Sequence, residues 1–239
     1  MEVKVYKTYD LLSRATADLI ANVIEKKPRA LVCIASGHTP IGVFQCLAND
    51  INSGKLDASK ATFVSLDEWL GIDPSDPGSC LSMLNKDFFN HVSVRVEAFD
   101  VNADPQKESE RINNLIEKHG GLDVMLVGIG LNGHIGMNEP GSSFDSYARV
   151  TDLAQETITT GQKYFQKPTS LSKGITLGLR HFAESKLPIV MANGSKKAEI
   201  INRVYNTQPT ETLPATIVHK VPQALVMLDA EAASLLQSV

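Results

Sequence analysis

Residues 124–141 read Val124-Met-Leu-Val-Gly-Ile-Gly-Leu-Asn-Gly-His-Ile-Gly-Met-Asn-Glu-Pro-Gly141. The first four form an uninterrupted apolar run, the mark of a strand buried on both faces. Glycines then alternate with groups that do chemistry: the Asn132 amide, the His134 imidazole and the Glu139 carboxylate. In open α/β sheets, ligands bind at the loops leaving the carboxyl ends of strands. A lone histidine in a Gly-rich turn more often satisfies local backbone groups. Here an imidazole, a carboxylate and two side-chain amides (Asn132 and Asn138) share one short loop, which favours a site.

The same strand–turn–helix grammar extends outward from this loop. Residues 10–24 carry apolar side chains at helical spacing, and 30–35 form a buried strand. Ser36-Gly-His-Thr-Pro40 follows, then a helix over 41–47 with Pro40 in its first turn. A strand over 62–66 empties into Asp67-Glu-Trp69 and the loop Gly71-Ile-Asp-Pro-Ser-Asp-Pro-Gly78. Ser79 is placed to cap a helix over 80–89, and 95–99 form a short strand. A helix over 105–119 starts at Asp104 and stops at Gly120-Gly121. Residues 142–171 are polar and weakly periodic, as expected of an excursion or lid over a pocket. Further strands are expected at 174–179, 187–192 and 224–228, with a helix from Gly194 to Tyr205 and a short one at the C-terminus. Strands alternating with helices imply an α/β fold, a mostly parallel sheet with helices on both faces, and a single domain over 1–239.

Bulk properties narrow the function classes. The chain has 239 residues, 43% hydrophobic and 21% charged, ordinary for a globular protein with a substantial core. A net charge of -4 gives no global footprint for nucleic acid, although an acidic protein can hold a local cationic pocket. The N-terminal Met1-Glu-Val-Lys-Val-Tyr-Lys lacks a leader-peptide pattern, and no apolar run is long enough to span a bilayer. Cys33, Cys46 and Cys80 are odd in number and show no metal-ligand spacing. These features read as a reduced, cytoplasmic protein without a structural metal.

Four stretches carry chemistry. Ser36, Gly37, His38 and Thr39 sit between a strand and a helix start, where outward backbone N–H groups cradle an anion. Gly194-Ser-Lys-Lys197 repeats the idea. A cation at a helix start opposes the helix dipole, so Lys197 is better explained if it faces an anion. Asp67 closes a strand and is either a general base with a raised pKa or a cap for the following turn. His134 with Glu139 forms an oriented acid–base pair. Phosphate anchors with separate acid–base groups point to proton transfer on a sugar phosphate.

Taken together, Ser36-Gly-His-Thr-Pro40, Ser65-Leu-Asp-Glu-Trp69, the stretch from Gly128 to Pro140 and Gly194-Ser-Lys-Lys197 resemble the glucosamine-6-phosphate deaminase/galactosamine-6-phosphate isomerase family, over essentially the whole chain. The resemblance implies a Rossmann-like fold. It implies aldose–ketose isomerisation with loss of the amine, giving a ketose 6-phosphate and ammonium without metal or organic cofactor. By position, Asp67 is the base, His134 assists ring opening and Glu139 holds the imidazole. Asn132, the third member of that group, stands where some members carry aspartate. Gly37 to Thr39 and Lys197 grip the phosphate. Lys163 falls where the family usually carries an arginine, and binds phosphate as a point charge rather than a fork.

His38, the loop from Gly71 to Cys80 and the end of Gly174-Ile-Thr-Leu-Gly-Leu-Arg-His181 depart from the glucosamine pattern. The two loop departures lean toward the galactosamine 6-phosphate branch. The rival enzyme is a 6-phosphogluconolactonase-type hydrolase, against which Asn138-Glu-Pro140 speaks. A non-catalytic sugar-phosphate sensor is the alternative of another class. Expected partners are the small-molecule substrate alone, with no nucleic acid or membrane, in a monomer or small homo-oligomer.

Overall fold

The computed structural model describes residues 1–236. Seven strands make one parallel sheet: β1 (Glu2–Tyr6), β2 (Leu31–Ile34), β3 (Thr62–Ser65), β5 (Arg95–Glu97), β6 (Val124–Val127), β9 (Leu187–Ala192) and β10 (Leu225–Asp229). Their spatial order is β1-β10-β9-β6-β2-β3-β5. The chain builds outward from β2 through β3 to β5. It then returns to the other side of β2 for β6, β9 and β10. This is the doubly wound Rossmann order, and its switch point falls between β2 and β6.

Both faces of the sheet are buried, which is why its strands read as apolar runs rather than as alternating ones. Leu31, Cys33, Met125 and Val127 enter one core, while Val32, Ile34, Val124 and Leu126 enter the other. Helices α1 (Tyr9–Lys26), α2 (Ile41–Asn52) and α3 (Cys80–Asp87) cover the second face, through Leu12, Ile20, Phe44, Leu47 and Leu84. Helix α4 (Pro105–Lys118) covers the first face through Ile112 and Ile116. Helices α6 (Leu179–Glu184) and α7 (Ala198–Asn206) join it there through Phe182, Ile200 and Ile201. The expected caps are present, with Ser79 accepting from the Ser82 N–H and Asp104 from that of Lys107, each contributing about 1 kcal/mol.

A second sheet departs from the expected layout. The strand expected at 174–179 is β8 (Lys173–Thr176), and it lies outside the parallel sheet. It runs antiparallel between β4 (Asp67–Trp69) and β7 (Arg149–Asp152), placing Asp67 and Arg149 opposite Thr176. The segment 142–171 is therefore not irregular: it holds β7, the helix α5 (Gln155–Gly161) and a 3-10 turn, Gln162–Tyr164. A small core of Trp69, Ile72, Met137, Leu153, Phe165 and Leu171 packs this layer beside the main sheet. Residues 230–236 form turns rather than the expected C-terminal helix, whose remainder lies outside the described residues. Among the described residues no helix is long and apolar enough to cross a membrane.

Candidate active site

Four strands of the parallel sheet deliver the four motifs to one edge. β2 ends at Ser36-Gly-His-Thr, β3 runs into Asp67, β6 opens into the His134 loop and β9 leads to Gly194-Ser-Lys-Lys197. A cavity of about 380 Å³ lies there, large enough for a hexose phosphate. Asp67, His134, Lys163 and Lys197 line it, as do Ser36, Gly37, His38 and Thr39. Asn132 and Glu139 do not. They stand behind His134, and their effect on the cavity passes through it.

The imidazole is held from that side. His134 Nδ1 lies 3.3 Å from Glu139 Oε2 and 3.1 Å from Thr157 Oγ1. Asn132 Nδ2 donates to the same carboxylate oxygen at 2.9 Å, and Asn132 Oδ1 accepts the His134 N–H at 3.1 Å. Burial pushes Glu139 up, but the bonds from His134, Thr157 and Asn132 outweigh it and leave the carboxyl below its ordinary value. Glu139 is therefore an anion at neutral pH and fixes the ring. Two turns are in turn pinned by Arg149, which donates to Asn138 Oδ1 at 2.7 Å and Ser142 Oγ at 2.9 Å.

The loop's glycines leave room for the reactive groups. A Cβ on Gly130 would meet His134 Nε2 at 2.4 Å, and one on Gly136 would meet Asp67 Oδ2 at 3.2 Å. The Asp67 carboxylate thus rests against the backbone of the loop that carries His134. Burial, with the negative charge of Glu68 added, raises Asp67 to about 7, the value wanted of a base working near neutrality.

Part of the cavity wall is cationic. Burial, with the nearby Lys163 charge added, lowers Lys197 to about 8. Lys163 is lowered by burial and by Lys196. Lys197 Nζ donates to the Ile129 carbonyl, and Gly194 is tied to Asp229 by bonds of 3.0 Å to both carboxylate oxygens. Tyr9 fixes the other anion turn, donating to the Thr39 carbonyl at 2.9 Å and accepting from the Gly42 N–H at 2.8 Å. Mutually repelling ammonium groups beside a helix N-terminus are relieved when an anion sits among them.

The model of the family of glucosamine-6-phosphate isomerases and 6-phosphogluconolactonases matches residues 7–227. The chain belongs to that family. A glucosamine-6-phosphate deaminase of Thermoanaerobacter pseudethanolicus is 32% identical over 241 residues, covering 99% of this chain and 95% of that one. Glucosamine-6-phosphate deaminase 1 of Bacillus subtilis is 34% identical, covering 98% and 99%. The solved structure of a monomeric glucosamine-6-phosphate deaminase superposes with a TM-score of 0.94 at 34% identity, covering 98% of this chain and all of that one. The 6-phosphogluconolactonase of Trypanosoma brucei, at 18% identity and a TM-score of 0.80, shares the fold. The family's Rossmann-like α/β architecture is the one found here.

Some lining residues escaped sequence reading. Lys196 was visible beside Lys197 but carried no separate signal. Thr157 and Tyr164 reach the cavity only because α5 and its following turn fold back over it, which no local pattern announces. Among the described residues no group of three or more His, Cys, Asp or Glu side chains is placed to hold a metal ion.

Proposed function

We propose that this chain converts a 2-amino-2-deoxyhexose 6-phosphate and water into a ketose 6-phosphate and ammonium. One observation carries the reading: a buried carboxylate near pKa 7, Asp67, shares a cavity with a braced imidazole and a lysine-rich anion site. Lactone hydrolysis moves no carbon-bound proton and has no need of such a base. The relatives at 32–34% identity, all glucosamine-6-phosphate deaminases, support the same choice.

In this reading the anion turn, Lys197 and Lys163 hold the phosphate. His134, oriented by Glu139 and Asn132, moves the proton that opens the ring. Asp67 takes the proton from C2 to give an enolamine and returns it to C1. Water adds to the resulting C2 ketimine, and the amine leaves as ammonium. No step asks for a metal or an organic cofactor.

For the preferred epimer we propose galactosamine 6-phosphate. The loop from Gly71 to Cys80, which departs from the glucosamine pattern, reaches the cavity: Cys80 is part of its wall. A site built around one sugar hydroxyl discriminates strongly between epimers. The family match over most of the chain supports one catalytic domain, and the monomeric relative supports a monomer. Three free thiols, Cys33 and Cys80 buried, accord with a cytoplasmic protein.

The test offers galactosamine 6-phosphate, glucosamine 6-phosphate and 6-phosphogluconolactone separately. Ammonium and ketose 6-phosphate from an amino sugar, fastest with the galacto epimer, is the expected result. Hydrolysis of the lactone alone would favour the hydrolase. Tight binding of both amino sugars without ammonium would favour a sensor.

A further inference from the structure

Tyr164 lies next to Lys163 in the turn that follows α5 and lines the cavity. Its hydroxyl stands 3.1 Å from the point where a Cβ on Gly37 would be, directly over the anion turn, and Gly37 has φ +91°. Its ring stacks on His38 with centroids 5.6 Å apart and planes at 22°. The Lys163 ammonium sits 4.8 Å from the centre of the same ring. His38, Tyr164 and Lys163 thus form a column beside the turn. Among the described residues the hydroxyl has no hydrogen-bond partner.

The hydroxyl opens on the cavity, where water or a ligand completes its hydrogen bonding. Its surroundings decide which ligand. The polar groups around it are mostly donors, the backbone N–H groups of the turn and the ammonium groups of Lys163, Lys196 and Lys197, with the Asp67 carboxylate the charged acceptor near enough to act on it. A hydroxyl among donors is satisfied by an acceptor that all of them can share. We infer that the Tyr164 hydroxyl, held over the anion turn at Gly37, donates a hydrogen bond to the phosphate of the bound sugar. The inference rests on the sugar-phosphate reading of the cavity and adds a residue to it.

The hydroxyl keeps its proton under all ordinary conditions. Burial, together with the nearby Cys80 and Asp67, raises it to about 12, so it acts as a donor and not as a second base. It also supplies what Lys163 lacks. An ammonium on a flexible stem binds phosphate without directional preference, whereas a phenol held on a stacked ring donates in a fixed direction.

The test compares wild-type protein with Tyr164→Phe, which keeps the ring, the stack and the cation contact and removes only the donor. Trp69, the single tryptophan of the chain, lines the cavity, so its fluorescence reports occupancy by inorganic phosphate. The expected result is phosphate binding weakened about tenfold, the size of a lost hydrogen bond to a charged group. KM for the amino-sugar phosphate rises by a similar factor, with the smaller change in kcat. Unchanged phosphate affinity overturns the inference. So does an altered preference between the two epimers with phosphate affinity intact, since that places the hydroxyl on the sugar ring. If wild-type protein binds phosphate but turns over neither amino sugar, the catalytic reading fails while the phosphate titration still decides the role of Tyr164. If it binds no phosphate, both fall.

Discussion

Asp67 and Glu68, neighbours on one strand, put their carboxylates to opposite uses. Glu68 Oε1 accepts the N–H groups of Trp69 and Cys80, and Oε2 that of Leu81, all at 2.8 Å. It closes the N-terminus of α3, where the exposed N–H groups and the helix dipole favour an anion. Asp67 has no such set of donors and faces the cavity. The sequence admitted either a base or a cap at this strand end, and the structure assigns the capping to Glu68 and leaves Asp67 free.

That freedom has a measurable effect on stability. An aspartate that ionises at 3.8 when unfolded and about 7 when folded binds its proton more tightly in the folded state. The associated stability is complete below pH 4 and is lost as pH rises through 7, up to about 4 kcal/mol for a shift of this size. Asp67→Asn carries no charge at any pH. Its melting temperature is expected to match wild type near pH 4 and to exceed it above pH 7. A difference that is the same at both pH values would show that Asp67 is not perturbed.

Gly130 is the most stringent test of the imidazole's place. An added methyl would fall 2.4 Å from His134 Nε2, so Gly130→Ala must displace the ring. A displacement of about 1 Å costs on the order of a hundredfold in rate. Turnover should fall by that factor while the melting temperature moves by no more than about 4 °C. Full activity in this variant would mean that the imidazole works from another position.

The lysine site predicts proton uptake on binding. With Lys197 near 8 in the free protein, a bound phosphate dianion raises it by favouring the ammonium form. Calorimetry at pH 8 in buffers of different ionisation enthalpy should therefore show protons entering the complex. Affinity should fall as pH rises above 8, and Lys197→Met should abolish both effects. Binding heats independent of buffer would contradict the assignment.

Much of this was legible in the sequence, for identifiable reasons. β2, β6 and β9 are buried on both faces and so announce themselves as apolar runs, and their carboxyl ends fix the neighbourhood of the anion turns and the His134 loop. Of the second sheet only β8 was expected as a strand, and its place outside the parallel sheet was not legible. The sheet's strands have three or four residues, and β7, Arg149-Val-Thr-Asp152, is half exposed, giving neither an apolar run nor an alternation. α6 has six residues, too few for a helical period to show. β1 alternates Val3 and Val5 with polar residues, but Val5 is 45% exposed at the sheet edge and the pattern is weak. Within the site, residue types were readable and their depth was not. Asn132 and His134 are two residues apart, yet one lines the cavity and the other braces it from behind.

In the proposed reaction, Asp67 carries the proton between neighbouring carbons of a bound amino-sugar phosphate. Asp67→Asn assayed side by side for ammonium release and for ligand affinity, near pH 8, tests it most directly. The predicted result is turnover reduced at least about a thousandfold, with affinity for the sugar phosphate held within about threefold, as expected when a group acting only in the transition state is removed. Turnover near that of wild type would show that the proton travels by another route and that Asp67 is not the base.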